Sequence, residues 1–198
     1  MEIAVQSVNE ELLKQFSGID PSAEVNSVLD IELVQNGLGG IRLREKELDR
    51  PLLKYAEETP EEVMGWPAEF DTSGWALVMA YVEKNPVGGL AVACHNPEII
   101  NIRILHGLDD LAVVWDIRVH PDYRRQGIGT ELIKAAAEWA RNKGYTQLSL
   151  ETQNTNLPAC KFYIKQGFRL GGINRYAYYH HPAYAHEVML EWYLDLRQ

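Results

Sequence analysis

The chain has 198 residues and a formal net charge of −9 at pH 7. That length suits one domain with a small appendage, and the acidic balance disfavours nucleic acid and anionic membrane while favouring a cationic partner. Its two cysteines, Cys94 and Cys160, form no CxxC pair, which argues against a disulfide framework or a zinc ribbon.

The start carries no basic segment followed by an apolar run, so no secretory signal is expected there. No apolar run approaches the roughly 20 residues of a membrane span, and the expected location is the cytoplasm. Residues 7–16 read as a short helix, with Ser7 as its cap and Glu10 three residues on. Residues 28–34 read as a strand, and Asn36-Gly37 and Gly39-Gly40 as turns. Residues 46–58 suggest a helix interrupted by Pro51, and residues 59–73 a loop.

From Trp75 the pattern sharpens. Residues 75–82 and 87–95 read as an antiparallel hairpin joined through Lys84-Asn85-Pro86. Residues 96–109 read as an irregular excursion. Residues 111–119 are apolar on both faces, as in a central strand. The period then becomes helical over 127–143, with Ile128, Leu132, Ala136, Trp139 and Ala140 on one stripe and Gly144 as the stop. A strand at 147–152, a helix at 157–166 ended by Gly167, and a strand pair at 168–175 and 186–195 complete the order. The strand–helix–strand step implies a parallel crossover inside a mixed sheet.

The junction Val119–Thr130 is the most informative stretch. Arg124 and Arg125 precede Gln126, Gly127, Ile128, Gly129 and Thr130 at the opening of a helix. A helix start leaves backbone N–H groups without partners and carries partial positive charge, glycines admit a bulky anion, and arginines add charge-assisted hydrogen bonds. These features suit a pyrophosphate cradle. A P-loop is excluded because no Gly-Lys-Ser/Thr occurs. A dinucleotide fingerprint would need a third glycine where Leu132 stands, and the turn before Gly127 is too long for it.

Arg124-x-x-Gly127-x-Gly129 resembles the acyl-CoA signature of the Gcn5-related N-acetyltransferases (GNAT). Asn156-x-x-Ala159-x-x-x-Tyr163 and Lys165-Gln166-Gly167-Phe168 follow at that family's spacing. The match spans about residues 75–195. Glu151-Thr152-Gln153 with Asn156, Ala159-Cys160, Phe162-Tyr163, Glu187 and Trp192-Tyr193 also resembles the streptothricin acetyltransferase branch. The resemblance implies an α/β (α+β) GNAT fold: a mixed, mostly antiparallel sheet with a central parallel step and flanking helices. It places a single N-acetyltransferase domain at 27–198 behind a helical extension at 1–26.

Acetyl transfer to an amine needs a neutral amine, a donor for the oxyanion and a proton for the departing thiolate. The resemblance implies Glu151 as base and Tyr163 as acid. It implies acetyl-CoA as co-substrate, bound by Arg124–Thr130, by the Ile117 and Val119 backbone and by Asn156, with the Val119 N–H as oxyanion donor. Asn156 also suits a helix N-cap. Glu151 has a second reading as a contact for the substrate cation. Asp116, a charge inside an apolar strand, reads equally as the alternative carboxylate to Glu151, as base or substrate contact, or as an ion pair with Arg118. Cys160 reads as a packed thiol. His180, His181 and His186 match no ligand spacing, so no metal is expected. Tyr176, Tyr178, Tyr179 and Tyr184 read as packing, a substrate wall or an oligomer contact, and a homodimer stays open.

The expected activity is acetyl transfer to a primary amine of a small cationic substrate, with streptothricin-type antibiotics suggested by the resemblance. The alternatives are a protein or peptide N-acetyltransferase of the ribosomal-protein type and a non-catalytic acyl-CoA sensor.

Overall fold

A computed structural model describes residues 1–55, 58–94 and 110–197, so the expected excursion at 96–109 lies outside the described residues. The class is α/β, with a sheet that is mostly antiparallel and has one parallel pair. The chain divides into two units: Met1–Ser22, Tyr55–Leu150 and Tyr193–Gln198 form the first, and Ala23–Lys54 and Glu151–Trp192 the second.

In the first unit the strands lie side by side in the order β1 (Glu2–Ser7), β4 (Ala76–Val82), β5 (Asn85–Cys94), β6 (Leu111–Val119) and β7 (Gln147–Gln153). Strand β1 pairs antiparallel with β4, and β4 with β5. The hairpin turn is Glu83-Lys84, one residue earlier than the sequence suggests. Both residues take positive φ, 51° and 68°, as a tight two-residue turn requires. Strand β6 pairs antiparallel with β5 and parallel with β7, as expected. Between them in sequence runs helix α3 (Ile128–Asn142), which buries Ile128, Leu132, Ile133, Ala136, Ala137 and Ala140 and ends before Gly144 at φ 91°.

The N-terminal segment differs from the expected helix over 7–16. Residues Glu2–Ser7 pair along the edge of the sheet, and helix α1 (Glu10–Ser17) is capped by Asn9, whose Oδ1 accepts from the Leu12 N–H at 3.0 Å. Of residues 1–26, expected as a helical extension, residues 1–22 supply β1 and α1 to the first unit and Ala23 opens a strand of the second. Leu12, Leu13 and Phe16 belong to the core of the first unit beside Trp66, Trp75, Leu77 and Met79. Burying a side chain such as Phe16 contributes about 1.5–3 kcal/mol. The expected loop at 59–73 contains helix α2 (Pro60–Glu69). Thr59 and Glu62 form a reciprocal capping box and Pro60 fills the first turn, so the start is strongly specified although Gly65 and Pro67 dilute the pattern.

Two adjacent glycines on β5 let helices approach closely from opposite faces. A Cβ on Gly88 would lie 2.8 Å from Ile128 Cγ2 of α3, and one on Gly89 would lie 2.5 Å from Phe16 Cδ2 of α1.

The second unit opens with a two-stranded ribbon of β2 (Ala23–Leu33) and β3 (Ile41–Lys54). The interrupted helix expected at 46–58 is strand as far as Lys54. Ser27–Leu33 pairs with Glu47–Ile41 and Ala23–Val25 with Lys54–Leu52, with a register shift between the blocks. Pro51 falls in that irregular stretch, where its missing N–H costs no ladder bond. Helix α4 (Leu157–Lys165) follows β7, and β8 (Arg169–Asn174) neighbours β9 (Met189–Asp195). Asn154 ties this unit together: its Nδ2 donates to the Leu29 carbonyl and its Oδ1 accepts from the Val188 N–H, each at 2.8 Å.

Candidate active site

In the first unit the residues expected to form a cradle make a sharp loop into a helix start. Arg125 takes φ 58° and Gly127 φ 88°, so the loop turns sharply just before α3. Gly127 is the N-cap residue and no side chain among the described residues caps the helix, so the N–H groups of Ile128, Gly129 and Thr130 can serve an anion. Arg124 Nε donates to the Val119 carbonyl at 2.9 Å, fixing the guanidinium beside the end of β6. An anion of pyrophosphate size fits this donor set on charge and geometry.

The edge of β6 is prepared as well. The His120 N–H bonds the Val87 carbonyl, and antiparallel pairing alternates, so Ile117 and Val119 turn their N–H groups away from β5. On the other side the parallel ladder with β7 covers only Leu111–Val113 against Gln147–Ser149. Ile117 and Val119 therefore lack a strand partner there among the described residues, and an extended amide-bearing chain can add to that edge.

Beneath this edge lies a buried charged cluster, of which the sequence revealed only a part. Arg118 is 2% exposed, and its Nε and Nη2 both reach Asp116 Oδ2 at 2.7 Å. The ion pair that the sequence offered for Asp116 is thus present. Arg118 also donates to the Ser17 carbonyl at 3.5 Å and the Glu58 carbonyl at 3.4 Å, and stacks over Phe16 at 5.0 Å. Burial raises the Asp116 carboxyl from its ordinary value, against the opposing charge of Arg118. Glu58 accepts from Trp66 Nε1 at 3.0 Å. Burial pushes its carboxyl up to about 7; the Trp66 bond opposes this and the Asp116 charge adds to it. Glu58 carried no motif that could have marked it.

The second unit holds Glu151, Asn156 and Tyr163. Asn156 caps α4, accepting from the Ala159 N–H at 3.4 Å, as one of its two readings expects. Tyr163 is buried on α4 against Phe162 and Phe168, with ring centroids 5.5 and 5.9 Å away. Glu151 accepts a hydrogen bond from the Tyr178 hydroxyl. Tyr178 came from the aromatic stretch that the sequence left between packing and function, and it is brought to a candidate catalytic carboxylate. Cys160 is buried and its thiol is pushed up to about 12 by that burial, so it is a packed thiol and not a nucleophile. Among the described residues no group of His, Cys, Asp and Glu side chains is placed to hold a metal ion.

Comparison with known proteins gives the family. The sequence profile of the acetyltransferase (GNAT) family matches residues 42–168. Streptothricin acetyltransferase A of Bacillus subtilis (strain 168) is 32% identical over 149 residues, covering 75% of this chain and 76% of that protein. Streptothricin acetyltransferase of Streptomyces lavendulae is 27% identical over 163 residues, covering 82% and 79%. A Bacillus anthracis (strain Ames) protein assigned as a streptothricin acetyltransferase, solved in complex with acetyl coenzyme A, superposes with a TM-score of 0.74. It is 26% identical, and the match covers 98% of this chain and 99% of that one.

The chain belongs to the GNAT family of acetyl-CoA-dependent N-acetyltransferases. Within it, the chain falls in the streptothricin acetyltransferase-like branch.

Proposed function

We propose that the acceptor is a primary amine on a small cationic antibiotic of the streptothricin type. The observation that carries this reading is the match to streptothricin acetyltransferase A over three quarters of both chains. Acetylation would replace a charged ammonium with a neutral amide and so remove a positive charge used in target binding. The net charge of −9 favours such a cationic acceptor. A cytoplasmic site of action accords with the use of acetyl-CoA.

In this proposal the uncapped start of α3 with Arg124 and Arg125 receives the pyrophosphate, and the Ile117 and Val119 edge receives the pantetheine amides. The Val119 N–H stabilises the carbonyl oxygen as charge develops on it. Glu151 takes a proton from the substrate ammonium, and the freed nitrogen attacks the acetyl carbon. The C–N bond forms, the C–S bond breaks, Tyr163 supplies a proton to the departing sulfur, and the second proton shed by the attacking nitrogen restores the Tyr163 hydroxyl. Glu151 is supported by its bond from Tyr178, and Tyr163 by its place on α4 seven residues after the cap Asn156.

The test is a thiol-release assay with acetyl-CoA across streptothricin, polyamines and peptides with free N-termini. Turnover with streptothricin at the highest kcat/KM supports the proposal. Preference for a peptide N-terminus assigns the enzyme to protein modification, and preference for a polyamine overturns the antibiotic reading.

A further inference from the structure

The second unit contains a chain of hydrogen bonds whose direction is fixed by its charged end. Lys54, the last residue of β3, donates from Nζ to Glu187 Oε1 at 2.9 Å, to Thr155 Oγ1 at 2.7 Å and to Gln153 Oε1 at 3.3 Å. Glu187 is 5% exposed, Gln153 5% and Thr155 7%, so this is a built and nearly dry cluster. Thr155 Oγ1 donates in turn to Glu187 Oε1 at 2.7 Å, leaving the ammonium and carboxylate charges balanced. Removing either partner would strand the other charge at high cost.

An ammonium only donates, so the Gln153 amide must turn its oxygen to Lys54. Its NH₂ then points the other way and donates to the Tyr178 hydroxyl oxygen at 3.3 Å. Because that oxygen already accepts, the Tyr178 proton is directed outward, and the hydroxyl donates it to Glu151 Oε1. Donation runs one way from Lys54 to Gln153 to Tyr178 to Glu151. Each bond polarises the next, and a directed chain of this kind outweighs its separate members.

We propose that Tyr178, Gln153 and the Lys54–Glu187 pair are positioning residues that hold Glu151 oriented and ionised for proton acceptance. The proposal rests on the reading of Glu151 as the base. Hydrogen bonding to the charged form of a carboxylate favours that form, which is what a base needs before turnover. Strand β3, remote from every sequence motif, thereby enters the catalytic apparatus through the single residue Lys54.

The experiment is a double-mutant cycle between Tyr178→Phe and Glu151→Gln on the full chain, with thermal midpoints and acetyl-CoA affinity measured alongside. Tyr178→Phe should lower kcat about 10- to 100-fold and leave acetyl-CoA affinity and the midpoint near wild type. In the Glu151→Gln background the same substitution should change kcat less than about twofold, because it acts through a base already removed. Gln153→Glu keeps an acceptor for Lys54 but removes the donor to Tyr178 and competes for its proton; it should lower kcat like Tyr178→Phe. Multiplying losses in the cycle would overturn the relay while leaving the base reading intact. Wild-type kcat in Tyr178→Phe would do the same. Wild-type kcat in Glu151→Gln would overturn the base reading and the relay with it.

Discussion

Glu58 makes folding stability depend on pH in a way that one substitution can isolate. Its carboxyl is raised from 4.5 to about 7 in the folded chain, first by burial and then by the nearby Asp116 charge. Below about pH 4.5 the group is protonated in both states and contributes no pH dependence. Between there and about 7 the folded chain retains a proton that the unfolded chain releases, so stability falls as pH rises. Above about 7 the penalty is complete. A difference of about 2.5 pH units at ~1.4 kcal/mol each sets a ceiling of about 3.5 kcal/mol. Glu58 is only partly buried, and solvent screening reduces that to about 1–2 kcal/mol. Glu58→Gln keeps an acceptor for Trp66 Nε1 and removes the titration. Urea unfolding at pH 5 and pH 8 should show the mutant gaining about 1–2 kcal/mol on wild type between the two. Stability profiles of wild type and mutant that stay parallel across that range would refute the argument.

The other expectations concern the cofactor loop, the acid and the thiols. Arg124→Ala combined with Gly129→Val should weaken acetyl-CoA binding at least about tenfold by calorimetry while the thermal midpoint persists, since a charged hydrogen bond and close backbone approach are both lost. Tyr163→Phe should lower kcat about 10²- to 10⁴-fold with little change in acetyl-CoA affinity, which stopped-flow turnover and calorimetry together will show. Cys160, buried with its thiol near 12, should react with iodoacetamide at pH 8 at least about 10³-fold more slowly than in the urea-unfolded chain, as read by mass spectrometry.

What the sequence disclosed follows from where its signals were local. Helix α3 was legible because its apolar stripe, last-turn Arg141 and terminal Gly144 are contiguous features, and the cradle before it is a continuous run. Strand β3 was not. Its residues are mostly exposed on both faces, and its charges answer a partner strand, as in Asp30 opposite Arg44 and Glu32 opposite Arg42. Without a buried face no period-2 alternation develops, and leucines at 48, 52 and 53 mimic a helix. Helix α2 was hidden by Gly65 and Pro67 although its capping box was present. For the candidate site, the family spacing marked Asn156 and Tyr163 as candidates from sequence alone. Tyr178 stands 27 residues from Glu151, Lys54 stands 99 from Gln153, and the Trp66 indole lies eight residues from Glu58 with nothing periodic to link them. Such pairings exist only after the chain has folded.

The glycine pair on β5 carries a consequence for how this enzyme can change. Helix α3 settles as deep as it does because the strand beneath it offers no side chain at residue 88, where even a methyl group would press on Ile128. Ile128 is the first residue of the helix whose opening we propose as the phosphate site. Residue 88 thereby sets how deep the helix that opens the proposed phosphate site can settle on the sheet. Drift at either residue must be answered at the other, large against small. On the proposed site, selection for acetyl-CoA affinity therefore also constrains residue 88, which lies under the helix rather than in its opening.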